Sequence, residues 1–261
     1  MDGKLRIGVI GVGRIGKIHI ENLVHRVHDA SVVAVADVDV GNTRKWAANH
    51  GIRNVMADPR ELINDATIEA VAICSPTNTH ANYVIEAARA GKQIFCEKPI
   101  AQDLEATKQA LKAVREAGVK LQIGFNRRFD KNFKRIRELV RTGEIGDLHI
   151  INITSRDPAP PPLDYVKHSG GIFKDMTIHD FDMARYLSGS EVTEVYAAGK
   201  VLVDPRIGEV GDFDTAVVVL RFANGAICTI DNSRQAVYGY DQRVEVFGSK
   251  GAASAQNEVP T

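Results

Sequence analysis

The sequence carries few cysteines, no net charge and no long apolar run. Its three cysteines, Cys74, Cys96 and Cys228, are widely spaced, and the first two sit inside the apolar runs VAICS and QIFCE. Cysteine in such runs reads as a small buried hydrophobe, so neither a disulfide nor a metal site is expected. The 33 basic and 33 acidic residues cancel, which removes the bulk attraction that nucleic acid or an anionic membrane surface would need. No segment approaches the roughly 18 apolar residues of a membrane span. The opening MDGKLRIGVIGVG is charged and broken by glycines, unlike a secretory signal. These absences predict a protein of the reducing cytoplasm with a small-molecule partner, no nucleic acid and no membrane.

Against that background, 261 residues with 44% hydrophobic and 25% charged side chains suffice for two ordinary globular cores. The first half alternates short apolar runs with helix-period segments. LRIGVIG, SVVAVADVD, EAVAICS, QIFCEKP and VKLQIGF read as strands, separated by helices near residues 14–27, 42–50, 80–90 and 104–117. Asp58-Pro59 reads as a further helix start. Nearly continuous apolar strands between helices predict a doubly wound α/β Rossmann domain over residues 1–123, its parallel sheet covered on both faces.

Gly11-Val12-Gly13-Arg14-Ile15-Gly16 fits G-x-G-x-x-G. It follows a strand and opens a helix, the context in which the pattern binds a dinucleotide. The glycines permit a tight turn, and the backbone of Gly11, Gly13, Arg14, Ile15 and Gly16 can approach a pyrophosphate. Asp37 closes the second strand, where a carboxylate accepts hydrogen bonds from ribose hydroxyls and repels a 2′-phosphate. NAD is therefore favoured over NADP, although Arg44 lies further on and could be recruited. The later strand ends place Ser75, Thr77, Asn78, His80, Glu97 and Lys98 at the carboxyl edge of the sheet, where open α/β folds bind ligands. Thr77, Asn78 and Thr79 also suit helix capping.

From residue 124 to 261 the pattern changes to a helix at 131–141 and a series of strands, with Asn224-Gly225 and Ser249-Lys250-Gly251 as turns. An α+β domain is expected, with a mainly antiparallel open sheet and helices on one side. VVVLRF is apolar on both faces, so a second subunit is expected to cover the sheet. In GGIFKDMTIHDFDMARYL two stripes appear. Ile178, Phe181, Ala184 and Leu187 recur at helical spacing, while Asp175, His179, Asp182 and Tyr186 share another face. Asp175 and His179 fall one turn apart, where a carboxylate can orient an imidazole. A dipole-complementing acid, a satisfied interface histidine and a metal site are the competing readings.

The glycine motif, Glu97-Lys98-Pro99 and Asp175-x-x-x-His179 together resemble the Gfo/Idh/MocA oxidoreductases. Within that family, residues 124–130 and 154–162, GFNRRFD and TSRDPAPPP, are similar to those of inositol 2-dehydrogenases. The resemblance implies NAD-dependent oxidation of myo-inositol or a close isomer to an inosose. It also implies that Lys98 contacts the substrate hydroxyl and the nicotinamide ribose, with Asp175 and His179 completing the catalytic set. Such chemistry needs a base for the hydroxyl proton, here His179, and a cation for the developing alkoxide, here Lys98. Matching segments make Asn126, Arg127, Asp157 and Tyr238 the candidate polyol contacts, with Arg128 and Tyr240 as alternatives. The alternatives in function are another sugar or sugar-acid dehydrogenase, or a dinucleotide-binding protein without turnover. A homotetramer is implied, and because family members continue past the final strands, the chain is expected to lack C-terminal elements.

Overall fold

Short apolar runs become strands with both faces buried in the first part of the chain. In order they are β1 (Leu5–Ile10), α1 (Arg14–Arg26), β2 (Ala30–Ala36), α2 (Val40–Ala48), β3 (Asn54–Met56), α3 (Pro59–Asn64), β4 (Ala70–Ile73), α4 (Thr77–Arg89), β5 (Gln93–Cys96), α5 (Leu104–Ala117) and β6 (Leu121–Ile123). The sheet runs β3-β2-β1-β4-β5-β6, and every pairing is parallel. Alternate side chains of the strands feed two cores. Ile10, Val71, Ile73 and Cys96 pack with Val84, Ala87 and Ala110, and Val9, Val35 and Ala72 pack with Val12, Ile20 and Ala47. This is the doubly wound sheet that the alternating pattern predicts. The computed structural model describes residues 3–257, and these form two compact units divided between Gly124 and Phe125.

Local capping explains where several helices begin. Asp58 accepts from the Arg60 amide at 2.9 Å ahead of Pro59, and Asp103 accepts from the Ala106 amide at 2.7 Å. Helix α2 starts two residues before the expected 42, because Asp39 caps it through the Asn42 amide at 3.2 Å. Helix α4 starts at Thr77, and its N-cap is Pro76, which makes no side-chain bond. The expected caps are thus inside the first turn. Thr79 instead donates to the Pro76 carbonyl at 2.7 Å and pairs with the Ser75 hydroxyl at 2.6 Å. Strand β3 escaped the sequence reading because three residues cannot display a period.

The second unit opens with a 3-10 turn (Asn126–Phe129) and α6 (Lys131–Arg141), followed by β7 (Leu148–Arg156), α7 (Leu163–Ser169), a π-helical turn (Phe173–Thr177) and α8 (Ile178–Ser188). Then come β8 (Val192–Lys200), α9 (Pro205–Glu209), β9 (Thr215–Phe222), β10 (Ile227–Ser233), β11 (Asp241–Gly248) and β12 (Gly251–Gln256). The sheet order is β12-β11-β7-β10-β9-β8, antiparallel except where β10 meets β7. Strand alternation sends Ile151, Ile153, Val218, Leu220, Cys228, Ile230 and Val246 inward against Phe133, Ile136, Met183 and Leu187 of α6 and α8. On the opposite face Ile150, Val217, Ile227 and Phe247 remain 40%, 48%, 42% and 46% exposed. Strand β8 ends at Lys200 because Asp214, buried, gathers the amides of Leu202, Val203 and Asp204 at 2.8, 2.8 and 3.0 Å and turns the chain. Burial alone would raise the Asp214 carboxyl, but these three amides and the Thr215 hydroxyl hold it below the ordinary range.

Candidate active site

The glycine loop of the first unit is shaped so that backbone alone can approach a ligand. Gly11 has φ 90°, and a Cβ there would come within 2.6 Å of the Ser75 nitrogen. At Gly16 a Cβ would overlap the Gly11 carbonyl oxygen, which sets how closely α1 meets the loop. At Gly13 a Cβ would meet nothing within 4 Å, so this residue borders open space. Helix α1 begins at Arg14 with Gly13 as N-cap and no side-chain bond, and Arg14 and Ile15 are exposed. Asp37 buttresses the loop: one carboxylate oxygen accepts from the Val12 amide at 2.7 Å, the other from the Asp39 amide at 2.9 Å. A carboxylate has further lone pairs, so this leaves Asp37 able to accept from ribose. The residues fit a dinucleotide, with an uncapped helix N-terminus behind an open glycine and a carboxylate at the next strand end.

The other strand ends are tied to one another more than sequence spacing suggested. His80 is buried, with Nδ1 2.8 Å from the Pro99 carbonyl and Nε2 2.8 Å from the Ser75 carbonyl. Both ring nitrogens are spent on backbone, so His80 joins two loops and does not present a nitrogen to a cofactor. The Glu97 carboxylate is likewise engaged, 2.6 Å from His19 Nε2 of α1, and it packs where a Cβ on Gly124 would sit 3.0 Å away. His19 escaped the reading, although it lies three residues after Gly16 on the helix the glycines open. Ser75, Thr77 and Lys98 are half-buried and Asn78 is exposed at the same carboxyl edge. Burial pushes the Cys74 thiol up to about 12, with the Glu97 charge adding to it.

In the second unit the expected single α-helix begins with a π turn that carries Asp175, and α8 proper starts at Ile178. The wider turn breaks the simple α-helical register between Asp175 and His179, a distortion common at functional sites. Asp175 accepts from the Tyr165 hydroxyl at 2.7 Å, and its other oxygen lies 3.3 Å from Arg234 Nη1. His179 is half-buried, its ring edge-on to Phe125 with centroids 6.2 Å apart. The polar stripe therefore divides. Asp182 is held by Arg128 through Nε at 2.8 Å and Nη2 at 2.6 Å. Tyr186 lies under the guanidinium groups of Arg128 and Arg137, at 5.2 and 6.0 Å.

Arg127, expected to contact a polyol, is committed inside the unit. It pairs with fully buried Asp180 and donates to the Ser155 hydroxyl at 3.1 Å. Asn232 donates to Asp180 at 2.8 Å, Thr177 donates to Asn232 at 2.6 Å, and Gln242 donates to Ser155 at 2.7 Å. Burial pushes the Asp180 carboxyl up, against the pull of Arg127 and Asn232. Arg127 and exposed Asn126 border a cavity of about 560 Å3 with Asp130, Asn132, Tyr240 and Gln242. Tyr240, half exposed, hydrogen-bonds Arg127, and the partial desolvation of its hydroxyl raises its phenol. Asp157 is half-buried, anchored through its amide to the Ser233 carbonyl at 3.0 Å and through its carbonyl to the Ala236 amide at 2.7 Å. Tyr238 is not brought to Asp175. It donates to Asp241 at 2.6 Å and accepts from Arg156 at 2.9 Å, in a groove with Asp231 and Val217 on the outer side of the sheet. Among the described residues no group of three or more His, Cys, Asp or Glu is placed to hold a metal ion, and no helix is long and apolar enough to cross a membrane.

Comparison with known proteins bears on both units. The family model described as "Oxidoreductase family, NAD-binding Rossmann fold" matches residues 5–125, and that described as "GFO/IDH/MocA C-terminal domain" matches residues 133–254. The Myo-inositol 2-dehydrogenase of Thermotoga maritima is 57% identical over 253 residues, covering 97% of this chain and 75% of that protein. An Inositol 2-dehydrogenase of Rhizobium meliloti is 50% identical over 256 residues, 98% of this chain and 77% of its own length. Among solved structures, scyllo-inositol dehydrogenase from Lactobacillus casei with bound NAD(H) and scyllo-inositol superposes with a TM-score of 0.89 at 34% identity, covering 97% of this chain and 76% of that one.

Proposed function

From the premise that this chain belongs to the Gfo/Idh/MocA family of NAD-binding oxidoreductases, we propose that it oxidises myo-inositol, or a close inositol isomer, to an inosose. The observation that carries the reading is 57% identity to a myo-inositol 2-dehydrogenase across 97% of the chain. The glycine cradle and Asp37 would hold NAD, which when bound supplies the hydride acceptor for a ring carbinol. The remaining chemistry falls to side chains. As the carbinol C–H is lost, the hydroxyl proton must leave, and His179 takes it. The Lys98 ammonium stabilises the developing alkoxide charge, and Asp175 favours the protonated imidazole. Asn126 and Asp157 offer the directional polar contacts that a polyol needs.

The outer face of the second sheet supports a homo-oligomer, because Ile150, Val217, Ile227 and Phe247 form exposed apolar surface on strands whose other face is already packed. We place a second copy there; sedimentation showing a monomer at micromolar concentration would overturn that assembly. For the reaction, NAD reduction is followed with myo-inositol, scyllo-inositol and a panel of sugars and sugar acids. His179→Ala and Lys98→Met should each lower kcat by about 10²–10⁴-fold while NAD binding survives, with the Kd for NAD within twofold in His179→Ala. No turnover of any inositol by the unmodified protein, or full activity in both variants, would refute the proposal.

A further inference from the structure

Arg234 is 1% exposed, an unusual depth for a guanidinium, and it lies between two carboxylates, Asp175 at 3.3 Å and Asp212 at 3.4 Å. A cation at this depth needs partners to compensate lost hydration, yet buried ion pairs seldom gain stability over apolar packing. What such a pair supplies is geometry. Asp212 accepts from the Ile172 amide at 2.9 Å, immediately before the π turn, and the Asp212 carboxylate occupies the space that a Cβ on Gly171 would enter at 2.8 Å. Asp175 lies within the turn itself. Arg234 thus clamps the turn at two points, and its own amide donates to the Asp214 carbonyl at 2.8 Å, just past the end of β10. With Tyr165 on one oxygen at 2.7 Å and Arg234 on the other, both oxygens of the Asp175 carboxylate are held.

We infer that Arg234 is a positioning residue, which, together with Tyr165, sets the orientation of Asp175 and so the ability of His179 to accept a proton. The inference rests on the role proposed above for Asp175 and His179. It predicts that Lys cannot replace Arg fully, because a point charge on a flexible stem does not span two carboxylates as a planar fork does.

The test is a set of mutant cycles on the full chain with NAD and the best inositol substrate. Arg234→Met should lower kcat about 100-fold and Arg234→Lys about tenfold, with the KM for NAD unchanged. Tyr165→Phe, at a half-exposed position on α7, keeps the fold and should lower kcat several-fold. In an Asp175→Asn background none of the three should lower kcat further, since a residue acting through Asp175 has nothing left to position. If Arg234→Met does not fold, Arg234→Lys and Tyr165→Phe carry the same test. Losses that persist undiminished in the Asp175→Asn background, or kcat within twofold of wild type in the single variants, would overturn the inference alone. An unmodified protein that turns over no polyol would sink the dehydrogenase reading and this inference with it.

Discussion

The two units build their candidate sites from different material. In the first, the ligand-facing surface is backbone: an open glycine, an uncapped helix N-terminus and a loop held by one carboxylate from the neighbouring strand. All of this lies within one β-α-β stretch, so a short motif encodes it. In the second, the side chains that matter come from the 3-10 turn, β7, α7, the π turn, α8, β10 and the residue just past it, and they are fixed by buried ion pairs and side-chain hydrogen bonds. A backbone cradle tolerates changes around it but not at its glycines. A network of buried charges is vulnerable wherever one partner is removed.

The largest effect expected from this contrast is at Arg127. Arg127→Met leaves the Asp180 carboxylate buried without its cation, which should cost about 3–5 kcal/mol of stability in the second unit. Urea unfolding followed separately in the two units measures this, and NAD affinity should be untouched; equal loss in both units would dissolve the contrast. Next comes Gly11→Val, where φ 90° and the 2.6 Å approach to Ser75 forbid a side chain. Its Kd for NAD should rise at least about 100-fold, roughly 3 kcal/mol, by calorimetry, with the Asp175 network intact.

A smaller, pH-dependent effect is expected at Asp214. Its folded-state carboxyl is depressed, so the unfolded chain binds the proton more readily, and stability rises with pH between the folded and unfolded values. The contribution is complete above the unfolded value of about 3.9 and is lost as pH falls through the lower folded one. Asp214→Asn should therefore cost about 1–3 kcal/mol at pH 7 and progressively less below pH 4, measured by denaturant titration at each pH. A constant difference down to acid pH would show that shape and not charge holds the β8 turn. The smallest effect concerns the thiols, which both units bury alike. Burial pushes the Cys74 thiol up to about 12 and raises Cys96 and Cys228 as well. A thiol reagent at pH 8 should modify none of the three until the protein unfolds; a single fast-reacting cysteine would mark its unit as locally open.

How far each site could be read follows from the range of its interactions. Asp37 and the glycines were legible because a strand, a turn and a helix in sequence dictate their placement. The second sheet's mainly antiparallel order was legible from alternation and the Asn224-Gly225 turn, but the parallel meeting of β10 with β7 was not, since strand periodicity carries no direction. Position at strand ends predicts cofactor contacts for His80 and Glu97. Their side chains turn instead to Pro99, Ser75 and His19, choices made by neighbours 5 to 78 residues away. Arg234 left a faint signal: Cys228, Ile230, Asn232 and Arg234 continue one strand parity, so polar residues at its end had to enter the interior.

The Gly11–Gly16 loop, the alternation behind it and the Lys98 strand end are settled by local chain chemistry, because strand, turn and helix are each specified within a few residues. The partners of the buried carboxylates in the second unit were settled only by folding. Asp175 took Tyr165 and Arg234, Asp182 took Arg128, and Asp180 took Arg127. A buried charge needs a counter-charge or hydrogen-bond partners, and which of them is within reach depends on strands and helices that meet only in three dimensions.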